Sequence, residues 1–255
     1  MINAAISTLT ESVCAVLSGE IPSLYLYGSA AAGDYRNGWS DIDILCLTRR
    51  SLTMEQAQAL LELRQELSSN HNNGIYRLFE GAFLSVRALQ EQTPDIVVYW
   101  GTSGQRITDR YDFNSFSMVE LKTIGRLLCG PDVRPVLVTP GYDALRRDVQ
   151  RHYEIVRKYA VTTDGSLYAC GWLLDIARCL YTLRTGQVIA KTAAGEWALK
   201  ETLCNVPEAM EKALAVRKNP LAHKGTPQYK AWAVRLGPVV QKFADVLERE
   251  LKLHA

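Results

Sequence analysis

Apolar positions in residues 1–140 switch repeatedly between two periods. Ile6, Leu9 and Val13 recur at helical spacing and predict an amphipathic helix in the first seventeen residues. An apolar strand then runs through Leu26-Tyr27 into Gly28-Ser29, and a turn-rich interval with Gly33, Asn37 and Gly38 follows. In Ser40-Asp41-Ile42-Asp43-Ile44-Leu45 the acids alternate with apolar residues, as a half-buried strand requires. Leu60, Leu63 and Leu67 predict a helix over Ser51 to Asn70, ended by Asn70-His71-Asn72-Asn73-Gly74. Ile75 to Val86 and Asp95 to Gly101 read as strands, and Phe116 to Leu128 as a helix closed by Gly130-Pro131.

After Thr139-Pro140-Gly141 the strand period disappears. Tyr142 to Tyr159, Tyr168 to Arg184, Ala193 to Leu203, Pro207 to Arg217 and Gln228 to Leu253 all carry helical periodicity. The expected fold class is α+β: a catalytic domain with a small mixed sheet over 1–140, then an α-helical bundle over 141–255. No internal repeat interrupts this division.

Composition narrows the class. A chain of 255 residues, 47% of them apolar, can bury one large core or two modest ones. No apolar run reaches the length of a membrane span and no secretory pattern opens the chain, so a cytoplasmic protein is expected. Cys14, Cys46, Cys129, Cys170, Cys179 and Cys204 include no C-x-x-C pair, which predicts reduced, mostly buried thiols rather than a zinc site or a disulfide framework. His71, His152, His223 and His254 are too dispersed to suggest a metal cluster. Charge is uneven: residues 141–255 hold 18 Lys+Arg against 12 Asp+Glu, a surplus of +6, and residues 1–140 hold 11 against 15, a deficit of −4.

The chemistry concentrates around Gly28 to Asp43. Side chains at i and i+2 of a strand share a face, so Asp41 and Asp43 can share one divalent cation, or two. Gly28 lets a phosphate approach the backbone without a Cβ in the way, and Ser29 with nearby backbone N–H groups suits phosphate oxygens. There is no G-x-x-x-x-G-K-[ST] sequence, which excludes a P-loop.

Gly28-Ser29, a loop of about ten residues and Ser40-Asp41-x-Asp43 resemble the nucleotidyltransferase superfamily typified by DNA polymerase β. That resemblance implies nucleoside monophosphate transfer from a nucleoside triphosphate to an acceptor hydroxyl, with two Mg2+ ions on the aspartates and a third carboxylate from a later strand. Glu80, the only acid of Ile75 to Val86, is the candidate. Farther on, Asp175-Ile176-Ala177-Arg178-Cys179-Leu180-Tyr181, Thr185 to Lys191 and Ala193-Ala194-Gly195-Glu196-Trp197-Ala198 resemble the C-terminal domain of the aminoglycoside adenylyltransferases acting on streptomycin and spectinomycin. Leu128-Cys129-Gly130-Pro131 fits the connection between the domains of that family.

The closer resemblance implies ATP as co-substrate, Asp41, Asp43 and Glu80 as Mg2+ ligands, and Glu80 as general base. Gly28, Ser29 and Ser40 would meet the ATP phosphates, Lys191 and Arg178 would bring positive charge to the triphosphate, and Trp100 would line the acceptor site. Asp112 matches a nucleotide contact by rough position alone, and Trp197 reads as packing. The helical domain would close over ATP and a small-molecule hydroxyl acceptor, without nucleic acid or membrane as partner.

Three departures bear on the acceptor. The stretch Gly165 to Trp172 lacks the acids that family members present to a polycation, Pro220 stands where they carry a tyrosine, and the helical half is positive. A protein or RNA acceptor is the alternative, and Arg217 with His223 resembles the R-x(4-6)-H motif of HEPN ribonucleases. A non-enzymatic nucleotide-binding regulator is the third reading, disfavoured by three retained carboxylates.

Overall fold

The computed structural model describes residues 2–70, 74–101 and 104–254; residues 71–73 of the expected helix-ending run lie outside them. The chain divides into two compact units, Met1–Tyr35 with Asp41–Thr139, and Arg36–Ser40 with Pro140–Ala255. No described helix is long and apolar enough to cross a membrane. All six cysteines are free, and Cys46, Cys170, Cys179 and Cys204 are buried.

The first unit contains α1 (Ile2–Val16), β1 (Ser23–Leu26), α2 (Gly28–Ala31), β2 (Ile42–Thr48), α3 (Met54–Asn70), β3 (Phe79–Ser85), α4 (Val86–Glu91), β4 (Val97–Gly101), β5 (Gly104–Thr108), α5 (Ser115–Thr123) and β6 (Arg126–Cys129). Six strands form one mixed sheet in the order β5-β4-β3-β2-β1-β6. The β2/β3 pair is parallel, with α3 in the crossover, and the other pairs are antiparallel.

Strand alternation divides this core between the two faces of the sheet. Leu24, Leu26, Ile42, Ile44, Phe79, Phe83, Val98 and Trp100 pack with Leu9 and Val13 of α1 and Leu60 of α3. On the other face Tyr25, Leu45, Leu47, Ala82, Leu84 and Val97 pack with Ala88 and Leu89 of α4 and Leu121 of α5. Asp43, Glu80 and Tyr99 have the parity of this second face.

The second unit holds α6 (Tyr142–Tyr159), α7 (Tyr168–Thr185), α8 (Lys191–Lys200), α9 (Pro207–Lys218), α10 (Pro227–Ala233) and α11 (Gly237–Leu253). Helix α7 is its centre, with Leu173, Leu174, Ile176, Ala177 and Leu180 all inaccessible to solvent. The α+β class thus follows the periodicities of the chain, while several boundaries depart from them.

Ile75–Leu78 forms a 3-10 turn after Gly74, whose φ of 67° is left-handed, so β3 begins only at Phe79. The helix expected through Leu128 stops at Thr123 ahead of Gly125, a poor helix former, and Leu127 and Leu128 join β6 beside β1. The long C-terminal helix is two, because Pro238 lacks an N–H and its ring would clash with the carbonyl four residues back. Strand β5 was not signalled by alternation at all; it pairs from Val97↔Thr108 to Gly101↔Gly104.

Candidate active site

The parallel register brings Asp43 of β2 beside Glu80 of β3. Neighbouring strands lie about 4.8 Å apart, and residues in register point to one face, so the two carboxylates emerge side by side. Asp41 stands just before β2 and is, like Asp43 and Glu80, part-buried. Between Tyr27 and Asp43 the β1/β2 ladder continues, the Tyr27 N–H donating to the Asp43 carbonyl at 3.0 Å. Gly28 follows with φ +62°, and a Cβ there would collide with the Asp43 carboxylate. Glycine is therefore required twice over, for the left-handed backbone and for the space Asp43 occupies. Ser29 is part-buried in the short helix α2, and its carbonyl accepts from the Asp34 N–H at 2.9 Å.

A tyrosine shell surrounds these acids. Tyr99 donates its hydroxyl to Glu80 Oε1 at 2.7 Å. Burial and the bonded Glu80 carboxylate push the Tyr99 phenol up to about 12. Tyr111 also rises to about 12, mainly by burial, with the charges of Asp43 and Glu80 adding to it against a hydrogen bond with Tyr27 that works to lower it. The Tyr27 phenol is raised by burial, then by Tyr111 and Asp43, and Tyr35 by burial and Asp41. All four remain neutral phenols at ordinary pH, able to donate hydrogen bonds to anions without adding charge.

Beneath the site, Arg64 of α3 is 6% exposed. Its guanidinium donates to the carbonyls of Gly101 at 2.7 Å, Gly104 at 2.9 Å and Phe79 at 3.3 Å. It thereby pins the strand ends that flank Glu80. Burial lowers the Arg64 guanidinium, and the Glu80 charge works against that shift.

Trp100 is not brought into this cluster. It is 1% exposed on the opposite face of the sheet, with its ring centroid 4.7 Å from Phe83. Alternation along β4 turns Trp100 into the core and its neighbour Tyr99 toward Glu80. Asp112 is exposed, near the part-buried Tyr111 in sequence.

The other expected residues lie in the second unit. Lys191, the first residue of α8, pairs with Asp175 of α7 at 2.9 Å, the two side chains 33% and 21% exposed. Burial works to raise the Asp175 carboxyl, but Lys191 and His152 outweigh it, with Arg178 adding, and hold it below the usual carboxylate range. The same cluster depresses the His152 imidazole, first by burial and then, against Asp175, by the charges of Lys191 and Arg178. Lys191 and Arg178 are thus gathered around one acid. Ser40 belongs to the Arg36–Ser40 segment, and its hydroxyl accepts from the Arg36 N–H at 3.0 Å. Trp197 packs edge-on against Tyr181 at 5.2 Å.

Arg217 lies in the last turn of α9, 3% exposed, with its guanidinium 5.1 Å from the Trp39 ring centroid. His223 follows the Pro220–Ala222 turn, off any helix, so the pair lacks the helical setting of a ribonuclease motif.

Two further observations delimit the site. Among the described residues no three His, Cys, Asp or Glu side chains are gathered closely enough to hold a metal ion as they stand. The oxygen donors Asp41, Asp43 and Glu80 nonetheless have the chemistry of a hard-cation site, and the space over Gly28 is kept for a carboxylate. A cavity of about 610 Å³ opens at the other end of β1 and β2, lined in part by Ser23, Leu47, Arg49, Arg50 and Arg87, and does not include the acids.

Residues 6–72 match a nucleotidyltransferase domain model, and residues 142–242 match that of the aminoglycoside adenylyltransferase C-terminal domain. No curated protein sequence matches the chain significantly. Among solved structures the fold is similar to spectinomycin adenyltransferase AAD(9) from Enterococcus faecialis, a structure with ATP and spectinomycin. The TM-score is 0.67 at 14% identity, covering 94% of this chain and 96% of that one. A nucleotidyltransferase domain carrying the paired acids is thus followed along the chain by helices that match the C-terminal domain of the aminoglycoside adenylyltransferases.

Proposed function

We propose that the chain transfers AMP from ATP to a hydroxyl of an aminoglycoside or aminocyclitol, such as streptomycin or spectinomycin, and so confers resistance. The observation that carries this is the register pairing of Asp43 with Glu80 beside Gly28, within a domain of nucleotidyltransferase type. The spectinomycin adenyltransferase with a similar fold, solved with ATP and spectinomycin, supports the choice of nucleotide and acceptor class.

Asp41, Asp43 and Glu80 would hold Mg2+, which when bound offsets triphosphate charge and polarises the phosphoryl oxygens. The acceptor oxygen attacks the α-phosphorus in line, the bond to the β-phosphate oxygen breaks, and pyrophosphate leaves with its electron pair. Glu80 takes the proton from the attacking hydroxyl. Gly28 and Ser29 give the phosphates close backbone approach, with Ser40 as a further contact. Lys191 and Arg178 supply cationic charge suited to the triphosphate. The catalytic domain is residues 1–140, and residues 141–255 serve acceptor and ATP.

The test is incubation of the purified chain with ATP, Mg2+ and, separately, streptomycin, spectinomycin, other aminoglycosides and an RNA oligonucleotide. The expected result is pyrophosphate release with a drug carrying one AMP, and raised resistance in a susceptible bacterium expressing the chain. Pyrophosphate release without any drug adduct would reject the acceptor. Transfer to RNA alone, weakened steeply by salt, would select the nucleic-acid reading that the positive helical half favours.

A further inference from the structure

We infer that Tyr99 is a positioning residue for the Glu80 carboxylate, its ring laid in a gap kept open by Gly101 and backed by Arg106. The inference rests on the functional reading of Glu80 as the base. Three independent features of β3, β4 and β5 build the arrangement.

The first is the hydrogen bond itself, phenol to Glu80 Oε1 at 2.7 Å. The second is the gap. Gly81 pairs with Trp100, so extending that register by one step brings Gly101 opposite Glu80, and Tyr99 and Gly101 share a face of β4. A Cβ on Gly101 would collide with the Tyr99 hydroxyl and the adjoining ring carbons. Any larger residue at 101 would displace the phenol from Glu80. The third is the backing: Arg106 is the direct cross-strand partner of Tyr99, and its guanidinium stands 4.3 Å from the ring centroid. A cation over the ring face attracts it and restrains its tilt.

The chemical consequence concerns geometry rather than proton transfer. A glutamate has three side-chain torsions and can swing, whereas a tyrosine ring held by packing cannot. Anchoring one carboxylate oxygen fixes the plane of the group, so that it meets the acceptor hydroxyl in one orientation.

The test uses the full chain with ATP, Mg2+ and the drug it adenylylates. Tyr99→Phe keeps the ring and removes the donor; kcat is expected to fall about tenfold, the loss of one hydrogen bond to a charged group. KM for ATP should stay within about twofold, since uniform binding is untouched. Gly101→Ala, which retains the phenol but takes its space, should reproduce the kcat loss; if that variant does not fold, Tyr99→Phe decides. In a Glu80→Gln background, read by single-turnover kinetics, Tyr99→Phe should cause no further loss, because it acts through Glu80. A wild-type chain inert toward every acceptor overturns the functional reading and this inference together. An active wild type with unchanged kcat in Tyr99→Phe, or an equal loss in both backgrounds, overturns the inference alone.

Discussion

At the scale of single residues, the site depends on where carboxylates and glycines meet. Asp43→Asn removes a charged oxygen donor without touching the core, so transfer is expected to fall at least about a hundredfold. Circular dichroism should remain that of the wild type; near-normal turnover in a folded Asp43→Asn chain would sink the metal-ligand role. Gly28→Ala tests the same carboxylate from the other side. The left-handed φ of +62° at Gly28 costs a substituted residue roughly 1–2 kcal/mol, and the new methyl group would force Asp43 aside. The expected outcome is a folded but inactive chain, and Gly28→Ala with wild-type kcat would show that Asp43 can move without consequence. Tyr99 illustrates what a motif leaves out: nothing in its spacing marks it, because its tie to Glu80 is made across two strands.

At the scale of elements, the helices of the second unit are joined by ion pairs at their buried edges. Arg184 of α7 donates to both oxygens of Glu250 on α11, at 2.9 and 2.7 Å. Arg184 accordingly holds the Glu250 carboxyl below its ordinary 4.5, although burial works against it. A depressed carboxyl contributes stability that is present above the unfolded value and is lost as pH falls through the folded one. Urea unfolding of the wild type should therefore lose free energy as pH falls below the ordinary carboxylate value of 4.5, and Glu250→Gln should flatten that slope. Equal slopes for the two chains would assign the acid sensitivity to other groups. Helix existence was legible from periodicity, while helix ends were not. Leu127 and Leu128 fit a helical repeat as well as a strand, and only the free edge of β1 decides for β6. The break before α11 was visible as Gly237-Pro238, and apolar spacing on both sides masked it.

At the scale of the whole molecule, ligand binding is the most direct probe of the reading. ATP with Mg2+ at about a hundred times its Kd stabilises a native state by about 2.7 kcal/mol. For a chain of this length that corresponds to a rise in Tm of roughly 5–10 °C. Asp43→Asn should abolish the part of the rise that depends on Mg2+, and a full shift in that variant would place the nucleotide elsewhere. Charge bears on the acceptor at this scale as well. The +6 surplus of residues 141–255 opposes a polycation, so drug binding, where it occurs, should rely on local acids and hydrogen bonds rather than on long-range steering.

Local sequence determined the period of each segment, and with it the α+β class: a side chain's face in a strand or helix follows from spacing alone. It also placed Asp41 and Asp43 two residues apart, whereas Gly28, on the far side of the loop, was brought to Asp43 by the pairing of β1 with β2. What joined them to Glu80, and Glu80 to Tyr99, was the pairing of β2 with β3 and β3 with β4. Such pairing is between residues far apart in sequence, so its register is written in the packing of whole faces and not in any one segment. The same physics set the side of Trp100: the parity of β4 turned it into the core and its neighbour Tyr99 toward Glu80.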